Sequence, residues 1–346
     1  MRKLAKIKKI DEINPIEGAD RIEVASIGGW EVVVAKDVGH EEGDKVVYCE
    51  IDSFLPIEPE FEFLRDSSYK KMPDGSEGFR LKTIRMRGQR SQGLIIPLND
   101  AKEIAKRKGT FKDVNWEKGE NVTKALGIKK YEKPIPPQLS GKMKGGFPSF
   151  IIKTNAERIQ NLTDDFSYLN DTLFWEVSEK LDGTSTTYYL KDGEFGVCSR
   201  NIDLLETEEN TLWQVARQLE IEKKLRSNWM VNEIPIAIQG ELIGPKIQGN
   251  KYNLKKHTLR IFNSFNIDKF EHNNPGITRF ICDILDLKYV PVIEKYFQLN
   301  IQSIDDIKKL IKDADGKSKL NPDIQREGLV YQCYSGQKRF KVISNQ

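Results

Sequence analysis

Between Tyr131 and Ser149 the chain reads YEKPIPPQLSGKMKGGFPS. Pro134, Pro136 and Pro137 donate no backbone N–H, and the glycines that follow add backbone freedom, so no helix or strand is expected to run through. The stretch has the composition of a linker, stiffened by its prolines. A chain interrupted this way folds as separate cores on either side, and 346 residues suffice for about two. The expected organisation is a compact module over 1–100, a polar, partly helical linker region over 101–149, and a larger domain over 150–346.

Hydrophobic residues make up 38% of the chain, enough for packed cores, so a wholly disordered polymer is excluded. Mean hydropathy is −0.55. No apolar run approaches the length of a membrane helix, roughly 18 residues. The basic start MRKLAKIKKI is not followed by an apolar signal core, which leads to the expectation of a cytoplasmic protein. Cys49, Cys198, Cys282 and Cys333 stand far apart, so neither a disulfide framework nor a zinc site is expected, and a reducing compartment fits. His40, His257 and His272 are never three or four apart. Any catalysis therefore falls to Lys, Arg, Asp, Glu or a bound metal ion.

In the first module, Arg21–Ile27, Trp30–Ala35, Lys45–Ile51 and Gly93–Pro97 read as short strands, with Gly28-Gly29 as a tight turn. Many short strands in so few residues suggest a barrel. The first hundred residues carry 16 basic against 19 acidic side chains, the remainder 39 against 33. Within that acidic module Lys82, Arg85, Arg87 and Arg90 form a run without an acid, with Arg85 and Arg87 expected on one strand face. Such a strip can track a phosphate backbone, or can be a solvated strand. In the second half, Asn210–Arg226 and Ile301–Ile311 carry apolar residues at helical spacing. Gly316-Lys317-Ser318 lacks the earlier glycine of a phosphate loop.

Lys180 lies in Trp175–Thr187, between an alternating run and an Asp182-Gly183 turn. Taken alone, Lys-Leu-Asp-Gly reads as a solvated lysine beside a hairpin turn, and only the rest of the sequence changes that. It also resembles motif I of the covalent nucleotidyltransferases, which comprise DNA ligases, RNA ligases and capping enzymes. The further motifs follow in order: Cys198–Asn201, Gly240–Gly244, Phe262–Ile267, Glu327–Val330 and Arg339–Lys341. Lys82–Leu94 resembles the N-terminal OB-type module of the Naegleria-type RNA ligases, and Thr154–Asn161 resembles the segment preceding the lysine in such enzymes. The resemblance spans nearly the whole chain.

It implies an α+β protein, an N-terminal OB-like barrel followed by a nucleotidyltransferase domain of ATP-grasp-like antiparallel sheets. It further implies an ATP-dependent RNA ligase acting with Mg²⁺ or Mn²⁺ in RNA repair, with RNA as partner and a monomer favoured. Lys180 would attack the α-phosphate of ATP and become lysyl-AMP. AMP would pass to a 5′-phosphate, and a 3′-hydroxyl would displace it. A free lysine has a pKa of about 10.4, so nearby positive charge, from a metal ion and Lys341, is expected to favour the neutral amine. Arg339 and Lys341 would face one phosphate; the family usually has lysine at the first position. Nucleotide contacts are expected from Glu179, Asp182, Gly183, Arg200, Glu241 and Glu327. Glu327, Glu241 and Asp182 are the candidate metal ligands. Phe265 would stack on adenine, with Phe262 competing. Arg200 would also touch RNA, as would the basic strip of the first module.

The rival readings are a GTP-dependent capping-type enzyme, a DNA-joining enzyme, and an RNA-binding OB protein with an inactive second domain. The first two carry a further OB domain after the last motif, whereas here five residues follow Lys341, which favours the RNA ligase reading.

Overall fold

The computed structural model describes residues 3–132, 141–163, 166–170, 174–227, 234–336 and 338–345. The chain divides into two compact units, Met1–Ile135 and Pro136–Gln346. Residues 133–140, which hold the three linker prolines, lie outside the described residues.

In the first unit the described strands are β1 (Ala5–Lys9), β2 (Glu12–Pro15), β3 (Ile22–Ile27), β4 (Trp30–Ala35), β5 (Lys45–Cys49), β6 (Ser53–Leu55), β7 (Tyr69–Lys71), β8 (Glu77–Arg80), β9 (Thr83–Met86), β10 (Gln89–Gln92), β11 (Leu94–Pro97) and β12 (Lys129–Lys130). They pair in the orders β1-β5-β11, β2-β3-β4, β10-β9 and β12-β6-β8-β7. Side chains alternate across a strand, and β5 uses both faces. Val47 and Cys49 join a core with Ile7, Phe61 and Phe79. Val46 and Tyr48 join another with Ile27, Trp30 and Val32. Gly28 and Gly29 have φ of 55° and 82°. They close the β3–β4 hairpin in the doubly left-handed turn that matches strand twist.

The region 101–149 does not behave as a linker throughout. Helix Leu98–Arg107 turns Ala101, Ile104 and Ala105 inward, and Val122, Leu126 and Ile128 complete the same core. Beyond the undescribed stretch, β13 (Met143–Gly146) pairs within the second unit. The region therefore contributes to both units.

The second unit adds β14 (Glu157–Arg158), β15 (Trp175–Glu179), β16 (Thr184–Lys191), β17 (Glu194–Ser199), β18 (Ile202–Leu204), β19 (Ile236–Ile243), β20 (Thr258–Asn266), β21 (Glu271–His272), β22 (Val292–Phe297), β23 (Gly328–Cys333) and β24 (Arg339–Ile343). They build a seven-stranded sheet, β13-β18-β17-β16-β19-β20-β21, and a five-stranded sheet, β14-β24-β23-β15-β22. Except for the parallel β14–β24 pair, the neighbours run antiparallel.

One face of each sheet packs against helices, and the other face of the larger sheet is covered in part by Ile151 on Tyr189, Ala237 and Phe265. Ile236, Ile238 and Leu242 of β19 pack with Leu212, Val215 and Leu225 from helices Thr211–Gln218 and Ile221–Ser227. Those two helices replace the single one expected over 210–226, because Glu220 takes a left-handed φ of 50° between them. In the smaller sheet Trp175, Val177, Tyr331 and Phe340 pack against Ile307, Leu310 and Ile311 of helix Ile304–Asp313. Ser303 and Asp306 start that helix with a reciprocal capping box. The opposite faces of both sheets carry polar residues and border one cleft.

Candidate active site

Strand register decides what the smaller sheet offers to the cleft. Ser178 pairs with Val330, which pairs with Lys341; Glu176 pairs with Gln332, which pairs with Arg339. These are neighbouring rows on one face, so Arg339 and Lys341 point the same way and both line the cleft. The larger sheet contributes Ser185, Glu241 and Phe262, and the segment between β13 and β14 contributes Thr154, Asn155 and Ala156.

Lys180 sits where the chain leaves β15 of one sheet for β16 of the other. Its backbone N–H donates to the Gly328 carbonyl at 3.0 Å. Its Nζ donates to both oxygens of Glu327 at 2.7 Å. The Asp182 N–H donates to the Tyr252 hydroxyl at 2.8 Å, and the Asp182 carboxylate pairs with Lys251. A Cβ on Gly183 would stand 2.3 Å from the Leu242 carbonyl, so only glycine lets this loop lie against β19. From there its N–H donates to Glu241 Oε1 at 3.1 Å. Glu179 is buried, with Oε2 accepting from the Lys319 N–H at 2.8 Å while Oε1 has no partner among the described residues.

Burial pushes the Glu241 carboxyl up to about 7. The Lys180 charge pulls it back, while Glu327 and Asp182 add repulsion. Burial likewise lowers the Arg339 guanidinium to about 10, and it lowers His272 to about 3 with help from the Arg339 charge.

Glu179, Lys180, Arg200, Glu241, Arg339 and Lys341 thus line the cleft, with Asp182, Gly183 and Glu327 bonded around them. Phe265 does not line it. Its ring is fully buried with Ile151, Tyr189 and Ile267, and sits edge-on to His272 at 5.1 Å. Phe265 pairs with Ala237, on the face that carries Gln239 and Glu241, and there Ile151 and Tyr189 cover it. A β-bulge precedes it in the strand. Gln239 pairs with Asn263 and Gly240 with Ile261, so Phe262 is an unpaired extra residue and its ring reaches the cleft. The three candidate metal carboxylates do not form a preformed cage, and no group of three or more metal-ligating side chains exists among the described residues. Lys251, Lys180 and the Gly183 N–H respectively engage Asp182, Glu327 and Glu241. The structure adds Asn263 and Tyr252 to the site. Asn263 lies inside the Phe262–Ile267 motif; nothing local in the sequence marks Tyr252.

In the first unit, β9 and β10 form a hairpin in which Arg85 faces Arg90 across the strands, and β9 is exposed along its length. Arg87, with Gly88, occupies the turn at φ of 51° and 81°. It therefore lies at the hairpin tip and not beside Arg85 on a strand face. Lys82 precedes the hairpin and is exposed.

An OB-fold domain model matches residues 4–98 and an RNA ligase model matches residues 173–343. No curated protein matches the chain. Among solved structures, the fold matches Naegleria gruberi RNA ligase, in a glutamate-to-alanine mutant with AMP and Mn, at 38% identity and TM-score 0.81, covering 99% of this chain and 97% of that one. A lysine-to-alanine mutant of the same enzyme with ATP and Mn matches at 37% identity and TM-score 0.80, covering 99% and 97%. That ligase with PPi matches at 37% identity and TM-score 0.79, covering 100% and 97%. With domain content, fold and sequence in agreement over the whole length, this chain belongs to the RNA ligase family, in the group that carries an OB-fold domain ahead of the ligase domain.

Proposed function

We infer that this chain is an ATP-dependent RNA ligase with Lys180 as its nucleophile. The carrying observation is one cleft that holds Lys180, Glu241, Arg339 and Lys341, with Glu327 bonded to the lysine. Lys180 Nζ leaves Glu327, loses a proton to solvent and attacks the α-phosphorus of ATP. The bond to pyrophosphate breaks as the lysyl-AMP bond forms. Arg339 and Lys341 hold the phosphate oxygens as charge builds there. A 5′-phosphate oxygen of RNA then takes AMP from Lys180, and a 3′-hydroxyl displaces AMP to seal the strand. Phe262 offers the flat face on which adenine stacks. Arg200 contacts the RNA end.

The donor set fits a divalent cation carried with the phosphates. Mg²⁺ and Mn²⁺ accept one or two carboxylates beside water and phosphate oxygens. Burial raises the Glu241 carboxyl against the opposing pull of Lys180, so a cation beside it would favour its charged form. Glu241 and Glu327 would hold the ion, and Asp182 would orient the loop. When bound, the ion neutralises phosphate charge.

RNA would run along the exposed hairpin through Lys82, Arg85, Arg87 and Arg90, which makes the first unit an RNA-binding domain. Nicked or broken RNA ends with a 3′-hydroxyl are the substrates that suit RNA repair. Four buried, unbridged cysteines agree with a reducing intracellular compartment. Among the described residues no helix is long and apolar enough to cross a membrane. A monomer is the working form.

Incubation with labelled ATP and Mn²⁺ tests the reading. The wild type takes a covalent label, Lys180→Ala takes none, and a panel of nicked duplexes shows preference for an RNA 3′-end. A wild type labelled by neither ATP nor GTP would sink the enzyme reading.

A further inference from the structure

Arg339 replaces the lysine usual at its motif position, and a guanidinium binds phosphate well only when its plane is fixed. Its Nη2 donates to Asn263 Oδ1 at 2.8 Å. Asn263 is fully buried, and its Nδ2 reaches two acceptors, Gln239 Oε1 at 2.5 Å and His272 Nδ1 at 2.8 Å. Gln239 Nε2 in turn donates to the Ile152 carbonyl at 3.1 Å.

Only one set of orientations satisfies this chain of bonds. Arginine can only donate, so the amide of Asn263 must turn its oxygen to Arg339. Its nitrogen must then face Gln239 and His272. Gln239 must present oxygen there and nitrogen to Ile152, and His272 must keep an unprotonated Nδ1. The low proton affinity of His272 suits this, because the ring stays neutral through the working pH range and the Asn263 N–H selects the tautomer with a free Nδ1. Phe265 packs edge-on against the imidazole and keeps it in place. The bulge at Phe262 sets Asn263 opposite Gln239.

We propose that Asn263, oriented by Gln239 and His272, is a positioning residue that fixes the Arg339 guanidinium for the nucleotide phosphate. The proposal rests on the reading of Arg339 as a phosphate ligand. It gives Phe265 and His272 a joint role, since neither touches nucleotide and both stabilise the amide that holds the arginine.

The test follows lysyl-AMP formation against ATP concentration in wild type, Asn263→Ala, Arg339→Ala and the double variant. Asn263→Ala should lower the saturated rate about 10- to 100-fold, the scale of a hydrogen bond to a charged group. In the Arg339→Ala background the same change should have less than about 2-fold effect, because its target is gone. His272→Ala should slow the step, and His272→Asn, which can place an oxygen near the Nδ1 position, should restore most of it. If Asn263→Ala costs the same factor in both backgrounds, the positioning role is wrong; a general loss of folded protein would give that result and counts against it. Equal behaviour of His272→Ala and His272→Asn would also overturn it. If Arg339→Ala labels at the wild-type rate, the phosphate reading itself fails.

Discussion

Glu241→Gln should stabilise the protein at pH 8 while impairing its chemistry. Glu241 Oε1 accepts from the Gly183 N–H, and a glutamine oxygen can keep that bond. The carboxyl is raised from 4.5 to about 7, chiefly by burial. A raised carboxyl gives the folded protein more protons than the unfolded chain between those values. Its contribution is fully present below pH 4.5 and is lost as pH rises through about 7. At about 1.36 kcal/mol per pKa unit, the ionised wild type carries a penalty on the order of 3 kcal/mol at pH 8, less whatever relaxation recovers. With about 2–4 °C per kcal/mol for a unit of this size, the variant should melt roughly 3–10 °C above wild type at pH 8. At pH 5 the difference should shrink towards zero. Melts at both pH values, at fixed salt and with divalent ions and nucleotide withheld, measure this. Mn²⁺ with ATP should then raise the wild-type midpoint more than the variant's. A difference that is the same at pH 5 and pH 8, or a variant less stable at pH 8, would refute the reasoning.

Phe262→Ala should raise the ATP concentration needed for labelling about 10-fold, the scale of one lost stacking contact, with little change in melting. Phe265→Ala should instead cost about 3–5 kcal/mol of stability, seen in denaturant melts, because it empties a buried site. Gly183→Ala should abolish labelling in a protein that still folds, since its Cβ would push the lysine loop off the Leu242 carbonyl. Lys82→Ala with Arg85→Ala should leave lysyl-AMP formation intact and weaken RNA binding; the slope of log affinity against log salt should become shallower by about 1.5, measured by fluorescence anisotropy.

The sequence is most readable where one period governs a whole element. Trp30–Ala35 alternates in burial, Lys45–Cys49 is a short apolar run buried on both faces, and both are strands. Arg339 and Lys341 stand two apart on a strand and do share a face. Legibility ends where a single residue breaks the period. Nothing in Phe262–Ile267 marks Phe262 as unpaired, yet that residue shifts the phase of the rest of β20 and brings Phe265 onto the cleft-side face, where Ile151 and Tyr189 cover it. Arg87 misleads for a related reason: arginine is an unusual occupant of a left-handed turn position, so its alternation with Arg85 reads as continuing strand. Residues 101–128 resemble a linker because only a narrow apolar stripe faces inward and polar residues outnumber it. The Asn263 network is invisible in the sequence because its members are distant along the chain and meet only through the register of β19, β20 and β24.

A strand that serves two cores cannot leave one without leaving the other. Since β5 places alternate side chains in both clusters of the first unit, those clusters should unfold as one cooperative body, not as halves that open in turn. β11 pairs along the same strand, and a single residue, Gly93, separates it from the arm of the basic hairpin. The hairpin is thus rooted beside the strand that ties the two clusters together. Its cations are displayed from a stiff base, so whatever strand they meet pays little to order them.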